Sequence, residues 1–258
     1  MSLRVRPLLL GVTLLLLAAC DGSPRAVRNE SHDPANSGFP AADRPVATIV
    51  SSRWSSEEER DRLNEAGKVM DLAGIKPGMT VADIGAGEGY YTIRLGQRVG
   101  AKGRVVAEDI VPDYISALAT RVVREKLDNV SVRLGLPADP RLPENSFDRV
   151  LMVHMYHEIE SPYEFLWRLR PSLAPGGQVI VVDADRATEN HGTPPALLKC
   201  EFEAVGYAQV SMLPMPSAGG YMAVFEARGE RPEPETIRAC KSGAHAKAVT
   251  PKPNGAHE

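Results

Sequence analysis

Cysteine is scarce, with three in 258 residues, which excludes a small disulfide scaffold. A basic excess is missing too: 30 Lys and Arg stand against 33 Asp and Glu, for a net charge of -3. Proteins whose main task is to coat nucleic acid carry a large surplus of positive charge, so that class is excluded and no nucleic-acid partner is expected. Glycine (22) and proline (21) are well represented, but no G-X-Y period runs through them, so collagen is excluded. The apolar stretch Leu8–Leu17 is shorter than the roughly 20 residues that a membrane-spanning helix needs.

What that stretch does fit is the centre of an export leader. Arg4 and Arg6 precede it, and Leu17-Ala18-Ala19-Cys20 follows. The tetrapeptide resembles the lipobox of bacterial lipoproteins, in which the cysteine becomes the lipidated first residue. Asp21 then resembles the signal that keeps Gram-negative lipoproteins at the inner membrane. The reading is a signal peptide over 1–19, a lipid anchor on Cys20 and a place on the periplasmic side of the inner membrane. Residues 20–45 are polar and rich in Pro, Gly, Ser and Asn, and read as a flexible tether. Residues 229–258, with four prolines and few large aliphatics, read as a disordered tail. That leaves one folded domain over 46–228, long enough to bury a sizeable core.

Within it, strand and helix patterns alternate. A helical apolar face runs from Ser55-Ser56 to about Ala73, with Leu63, Met70 and Leu72 on it. Strands are expected at 79–85, 103–110, 130–135, 147–153 and 178–185. Helices follow at 89–98, 112–126, 162–173 and from Pro194-Pro195 to about Val205. In the second of these helices Ile115, Leu118, Val122 and Val123 should face inward. The strand at 178–185 carries a continuous apolar run, Val179–Val182, which suits a parallel strand buried on both faces. Residues 207–213 and 220–227 alternate and can pair as antiparallel strands. This order predicts an α/β, doubly wound, mostly parallel seven-stranded sheet with an antiparallel C-terminal strand. Ligands of such sheets sit outside the carboxyl ends of the strands, beside the first one.

The first strand ends in Asp83-Ile84-Gly85-Ala86-Gly87-Glu88-Gly89-Tyr90. Glycines let the chain turn sharply and let a ligand approach with no Cβ in the way. The dinucleotide fingerprint G-x-G-x-x-G is absent, because Tyr90 stands where its last glycine would be, which disfavours a nicotinamide oxidoreductase. Glu88 lies where a pyrophosphate would sit, which suits a ligand without phosphates. At these residues the chain resembles the class I S-adenosylmethionine (SAM) methyltransferases, with a Rossmann-like fold. Asp83-Ile84-Gly85-Ala86-Gly87-Glu88-Gly89 resembles their first motif, Glu108-Asp109 their ribose-binding acid, Asn145-Ser146-Phe147-Asp148 a segment before strand four, and Leu173-Ala174-Pro175-Gly176-Gly177 their turn before strand five.

The resemblance implies S-adenosylmethionine as cofactor. Gly85, Ala86, Gly87 and Gly89 would line it, Asp83 would orient the loop, and Asp109, with Glu108 as the alternative, would hold the ribose. Pro137 and Ala138 would contact adenine through backbone, as readily as Asp139 would through its side chain.

Strand four ends in His154-Met155-Tyr156-His157-Glu158, where the family places the departing methyl group. A neutral imidazole there can take a proton from an acceptor hydroxyl or amine, so His154, His157 and Tyr156 are the candidate catalytic residues. His191 follows strand five and can reach the same mouth. His154 and His157 are not spaced as H-E-x-x-H, and no metal is assigned. Neither an N/D-P-P-Y segment nor a Pro-Cys nucleophile follows strand four, which disfavours methylation of DNA bases. Cys200 and Cys240 would have the chance to pair in an oxidising compartment.

Two functions remain. One is a SAM-dependent methyltransferase acting on a small or lipid-like molecule near the membrane. The other is a non-catalytic envelope lipoprotein that keeps the fold as a binding module. The glycine loop with its paired acid argues for the first. The export leader argues for the second, because SAM is made in the cytosol.

Overall fold

The computed structural model describes residues 37–49 and 56–241, all within one unit of the chain, His32–Glu258. The expected signal peptide and Cys20 lie outside the described residues, as do most of the expected tether and 242–258.

Seven strands form one sheet: β1 Thr80–Ile84, β2 Arg104–Asp109, β3 Val130–Leu134, β4 Phe147–Val153, β5 Leu173–Asp183, β6 Tyr207–Met215 and β7 Gly220–Ala227. Their order is β3-β2-β1-β4-β5-β7-β6. The first five pair in parallel, and β7 alone runs against its neighbours β5 and β6. The chain starts at β1, steps outward to β3, then crosses back to β4. A cleft therefore opens at the carboxyl ends of β1 and β4, where the winding reverses.

Among the described residues six α-helices flank the sheet: α1 Glu57–Arg62, α2 Glu65–Leu72, α3 Tyr90–Val99, α4 Pro112–Arg124, α5 Pro162–Leu169 and α6 Pro195–Ala204. Period-two alternation in the strands sorts the core into two layers. Ala82, Ile84, Val150, Met152, Val179 and Val181 pack against α5 and α6 through Leu166, Leu169, Leu198 and Phe202. Val81, Leu151, Ile180 and Val182 pack on the other side against α2 and α3 through Val69, Leu95 and Val99. Val179 through Val182 are fully buried, as their unbroken apolar run predicts. Among the described residues no helix is long and apolar enough to cross a membrane.

Several expectations need correction. The single helix from 55 to 73 is two, because Asn64 takes a left-handed turn at φ 50°. The turn carries Leu63 out of the apolar face, and Leu72 ends α2 outside the core; they are 54% and 49% exposed. Val123 is 79% exposed, since α4 buries only the i, i+4 pair Leu118 and Val122. The Leu173–Gly177 turn is absorbed into the start of β5, with a register shift opposite Phe147 and Arg149. Asp148 accepts a hydrogen bond from Thr80 N at 2.8 Å, so that motif residue pins β1 to β4.

The domain boundaries also move outward. Arg44 makes a buried ion pair with Glu201 at 2.9 Å, and Asp43 bridges to Lys241. Residues 229–241, read as the start of a disordered tail, lie against the domain. Arg231 stacks on Trp167, Trp167 Nε1 donates to Pro232 O at 2.8 Å, and Ile237 and Cys240 are buried. Cys240 forms a disulfide with Cys200 of α6. Composition conceals these anchors because most are backbone, cation–π and covalent contacts rather than apolar area.

Candidate active site

The glycine loop after β1 is built by its backbone. Gly85 and Gly87 take positive φ of 67° and 52°. Ala86 N donates to Glu108 O and Gly87 N to Asp109 Oδ2, both at 2.9 Å. Asp109 Oδ1 takes Val111 N at 2.9 Å, so this one carboxylate ties the loop to the end of β2. A Cβ on Gly85 would meet Met155 Cγ at 2.8 Å, whereas a Cβ on Gly87 would meet nothing within 4 Å. Gly87 thus leaves bare backbone at the wall of the cavity. Gly89 lies off the wall; it caps α3 in a left-handed conformation, and a side chain there would collide with Leu118. Asp83 is buried one residue behind the loop. Its Oδ2 accepts from Thr92 Oγ1 at 2.6 Å, and burial pushes its carboxyl up to about 6. Asp83 holds the first turn of α3 and does not line the cavity.

The cavity, of about 830 Å³, runs along the carboxyl ends of β1, β2, β4 and β5 and is roofed in part by Val46–Ile49. At one end Glu108 reaches in. Its Oε1 is buried and has no hydrogen-bond partner among the described residues. Burial, and then the neighbouring charge of Asp109, push this carboxyl well above the usual carboxylate range. Pro137 lines the same end, while Ala138 is buried beside it. Asp139 is occupied by its own turn: it accepts Arg141 N at 2.8 Å and faces Arg168 at 3.7 Å.

At the other end stand the histidines. His157 Nδ1 lies 3.0 and 3.1 Å from the two oxygens of Asp183, the last residue of β5. A carboxylate only accepts, so in the neutral ring Nδ1 carries the proton and Nε2 the lone pair. Asp183 is itself fixed by Ala184 N at 2.9 Å and Thr193 Oγ1 at 2.7 Å. The ring of His191 lies 5.5 Å from that of His157, centroid to centroid, so the two do share one mouth. Donor atoms of His157, Glu158 and His191 all fall within 4.8 Å of one another.

His154 also lines the cavity, at a positive φ of 56°. Its Nε2 sits 3.9 Å from Glu65 Oε1, and burial lowers its pKa. Tyr156 is placed elsewhere. It is fully buried outside the cavity, and its hydroxyl donates to Glu201 at 2.8 Å. The local turn explains this: Tyr156–Glu158 is a single 3-10 turn, in which successive side chains point about 120° apart.

Sequence reasoning missed the partner of His157. The available signal was an acid, Asp183, closing an otherwise apolar strand. It also missed Glu65, which collects Arg60 at 2.6 Å, Tyr91 Oη at 3.0 Å and the ring of His154. Only the break at Asn64 brings that carboxylate to the cavity.

Residues 81–177 match a family profile described as a methyltransferase domain. Nocamycin O-methyltransferase of Saccharothrix syringae is 40% identical over 85 residues, which are 33% of this chain and 30% of that protein. A ubiquinone/menaquinone biosynthesis C-methyltransferase of Hydrogenovibrio crunogenus is 27% identical over 176 residues, 66% of each protein. The chain thus spans less than two thirds of either relative. Among solved structures, a SAM-dependent methyltransferase from Aquifex aeolicus superposes with a TM-score of 0.57 at 23% identity, over 66% of this chain and 97% of that one. A [4+2]-cyclase, SpnF, superposes with the same TM-score, 0.57, at 15% identity, over 75% of this chain and 90% of its own. These likenesses establish the Rossmann-like methyltransferase fold.

Proposed function

We propose, from a methyltransferase domain over residues 81–177 whose cofactor is S-adenosylmethionine, that this protein methylates a small or lipid-like acceptor. One observation carries the reading: a single cavity joins the glycine loop to the His157–Asp183 pair. Its volume of about 830 Å³ lies in the range of small-molecule sites.

The residues fit the cofactor. Gly87 offers backbone with no side chain in the way, as the amino-acid end of such a ligand needs. Glu108 Oε1 is a buried polar atom whose hydrogen bond a hydroxyl or amine of the cofactor would complete. Asp109 spends one lone pair of each oxygen on backbone amides and keeps the others for the ribose hydroxyls. When bound, S-adenosylmethionine supplies a methyl group on a cationic sulfur, a good leaving group once the acceptor is aligned.

This chain's own residues then align the acceptor and handle its proton. Asp183 fixes the tautomer of His157, so Nε2 accepts the proton of an acceptor hydroxyl or amine. Ile49, Leu63, Ile84 and Phe165 give the cavity an apolar wall, which supports an acceptor with an apolar body.

Calorimetric titration with S-adenosylmethionine and with its demethylated product tests the reading. Saturable micromolar binding of both is expected, and folded protein that binds neither would sink it. Methyl transfer is then to be sought with quinones and envelope lipids. Binding without transfer to any acceptor would leave the binding-module reading.

The same proposal places the chain on the periplasmic side of the inner membrane, anchored through a lipid on Cys20. The leader sequence supports this, and the Cys200–Cys240 disulfide suits an oxidising compartment. Metabolic labelling with palmitate should mark the protein and should fail on Cys20→Ser.

A further inference from the structure

We infer that His157, Glu158 and His191 form a binding site for a divalent transition-metal ion of the zinc class, at the acceptor end of the cavity. Three arguments support it.

The first is distance. The three donor atoms already lie within 4.8 Å of one another. Bonds of about 2.0–2.2 Å to a tetrahedral ion put ligand atoms about 3.3 Å apart, so small side-chain rotations close the set.

The second is the buried support behind His157. Metal-ligating histidines typically give their other ring N–H to a carboxylate, which fixes the ring and raises its basicity. Asp183 does this to Nδ1, and Asp183 is fully buried and locked by Thr193 and Ala184. His154 has no such support; it faces Glu65 instead and is left out of the set.

The third is donor chemistry. Two imidazoles and one carboxylate favour zinc, cobalt, nickel or iron over magnesium or calcium, which prefer oxygen cages. Three protein ligands leave a position for a further one, and all three residues line the cavity. Spacing in the chain conceals the site: two ligands are adjacent and the third is 34 positions on, on the loop of the neighbouring strand β5.

An ion held here would take the oxygen, nitrogen or sulfur of the acceptor as its next ligand and lower that group's pKa. The His157 lone pair would then serve the ion, and the ion would serve the acceptor. This last role rests on the methyltransferase reading; the metal site does not.

The test is metal titration of the full chain after chelator treatment. Co2+ should be taken up to one equivalent, with the visible absorption of a four- or five-coordinate ion, and Zn2+ should displace it. Competition with a chromophoric chelator should show His191→Ala and Glu158→Gln weakened at least tenfold. Asp183→Asn should lose about 10–100-fold. A variant with His32, His245 and His257 all changed to Ala should bind as the parent does. Absence of saturable uptake, or uptake unchanged in His191→Ala, overturns the site. Titration of the same samples with S-adenosylmethionine separates the two ideas: cofactor binding without metal uptake refutes only the metal site, and the reverse refutes only the methyltransferase reading.

Discussion

Gly135 and Glu108 share a space that holds only one side chain. A Cβ on Gly135 would overlap Glu108 Oε1, so the absence of a side chain after β3 is what lets the carboxyl lie where it does. Gly135→Ala should therefore act through Glu108. No left-handed backbone is involved, so strain is not the cause. A displaced Glu108 loses the hydrogen bond proposed for it, worth about 1–3 kcal/mol. Calorimetry should show roughly a tenfold or greater loss of S-adenosylmethionine affinity with the fold kept by circular dichroism. Unchanged affinity would remove Glu108 from the cofactor site.

The acids beside the loop set a pH dependence. In the folded protein Asp83 holds its proton up to about 6, whereas the unfolded chain releases it near 3.8. Between these values the native state binds more protons, so stability falls as pH rises through this window and is then flat. The raised Glu108 carboxyl acts in the same direction. Asp83→Asn keeps an acceptor for Thr92 and removes the titration. Unfolding free energies from urea titrations between pH 4 and 7 should fall less in the variant, by about 3 kcal/mol in total for the two-unit shift. Parallel curves would show that Asp83 ionises normally.

The Cys200–Cys240 disulfide closes a 40-residue separation. Constraint of the unfolded chain by such a loop contributes roughly 2–4 kcal/mol. Cys240→Ser should lower the melting temperature by several degrees. Reducing agent should lower the parent to the same value and leave the variant unmoved.

His157 and Tyr156 should separate cleanly. His157→Gln removes the proton acceptor and should slow methyl transfer about 10²–10⁴-fold with cofactor affinity retained. Tyr156→Phe removes one buried hydrogen bond to Glu201, which keeps its ion pair with Arg44. It should cost about 1 kcal/mol of stability and leave the rate within a few-fold. A large rate loss in Tyr156→Phe would return that hydroxyl to the chemistry.

The architecture was legible because the strands announce themselves. Val179–Val182 is an unbroken apolar run, Val81–Ile84 is apolar but for Asp83, and the spacing of such runs leaves room for helices. The glycine loop was legible for the same reason: positive φ at Gly85 and Gly87 demands that residue type. What the sequence could not show were relations across the fold. Nothing local says that Asp183 will meet His157, that Asn64 will break a helix and aim Glu65 at His154, or that Tyr156 will turn away from its two neighbours. Composition misled at the ends, where Arg44, Arg231 and Cys240 anchor polar segments through an ion pair, a stacked ring and a sulfur bond.

The bridge between Asp43 and Lys241 has a topological consequence. Residues near both borders of the described region thus lie side by side, so a short linker from residue 241 to residue 43 would close that stretch into a ring without stretching it. Closing so small a gap costs little loop entropy. The domain is thus suited to circular permutation, with new ends cut into an exposed turn such as Ala101–Lys102. Such a molecule would have its chain ends elsewhere on its surface while the cavity stayed intact.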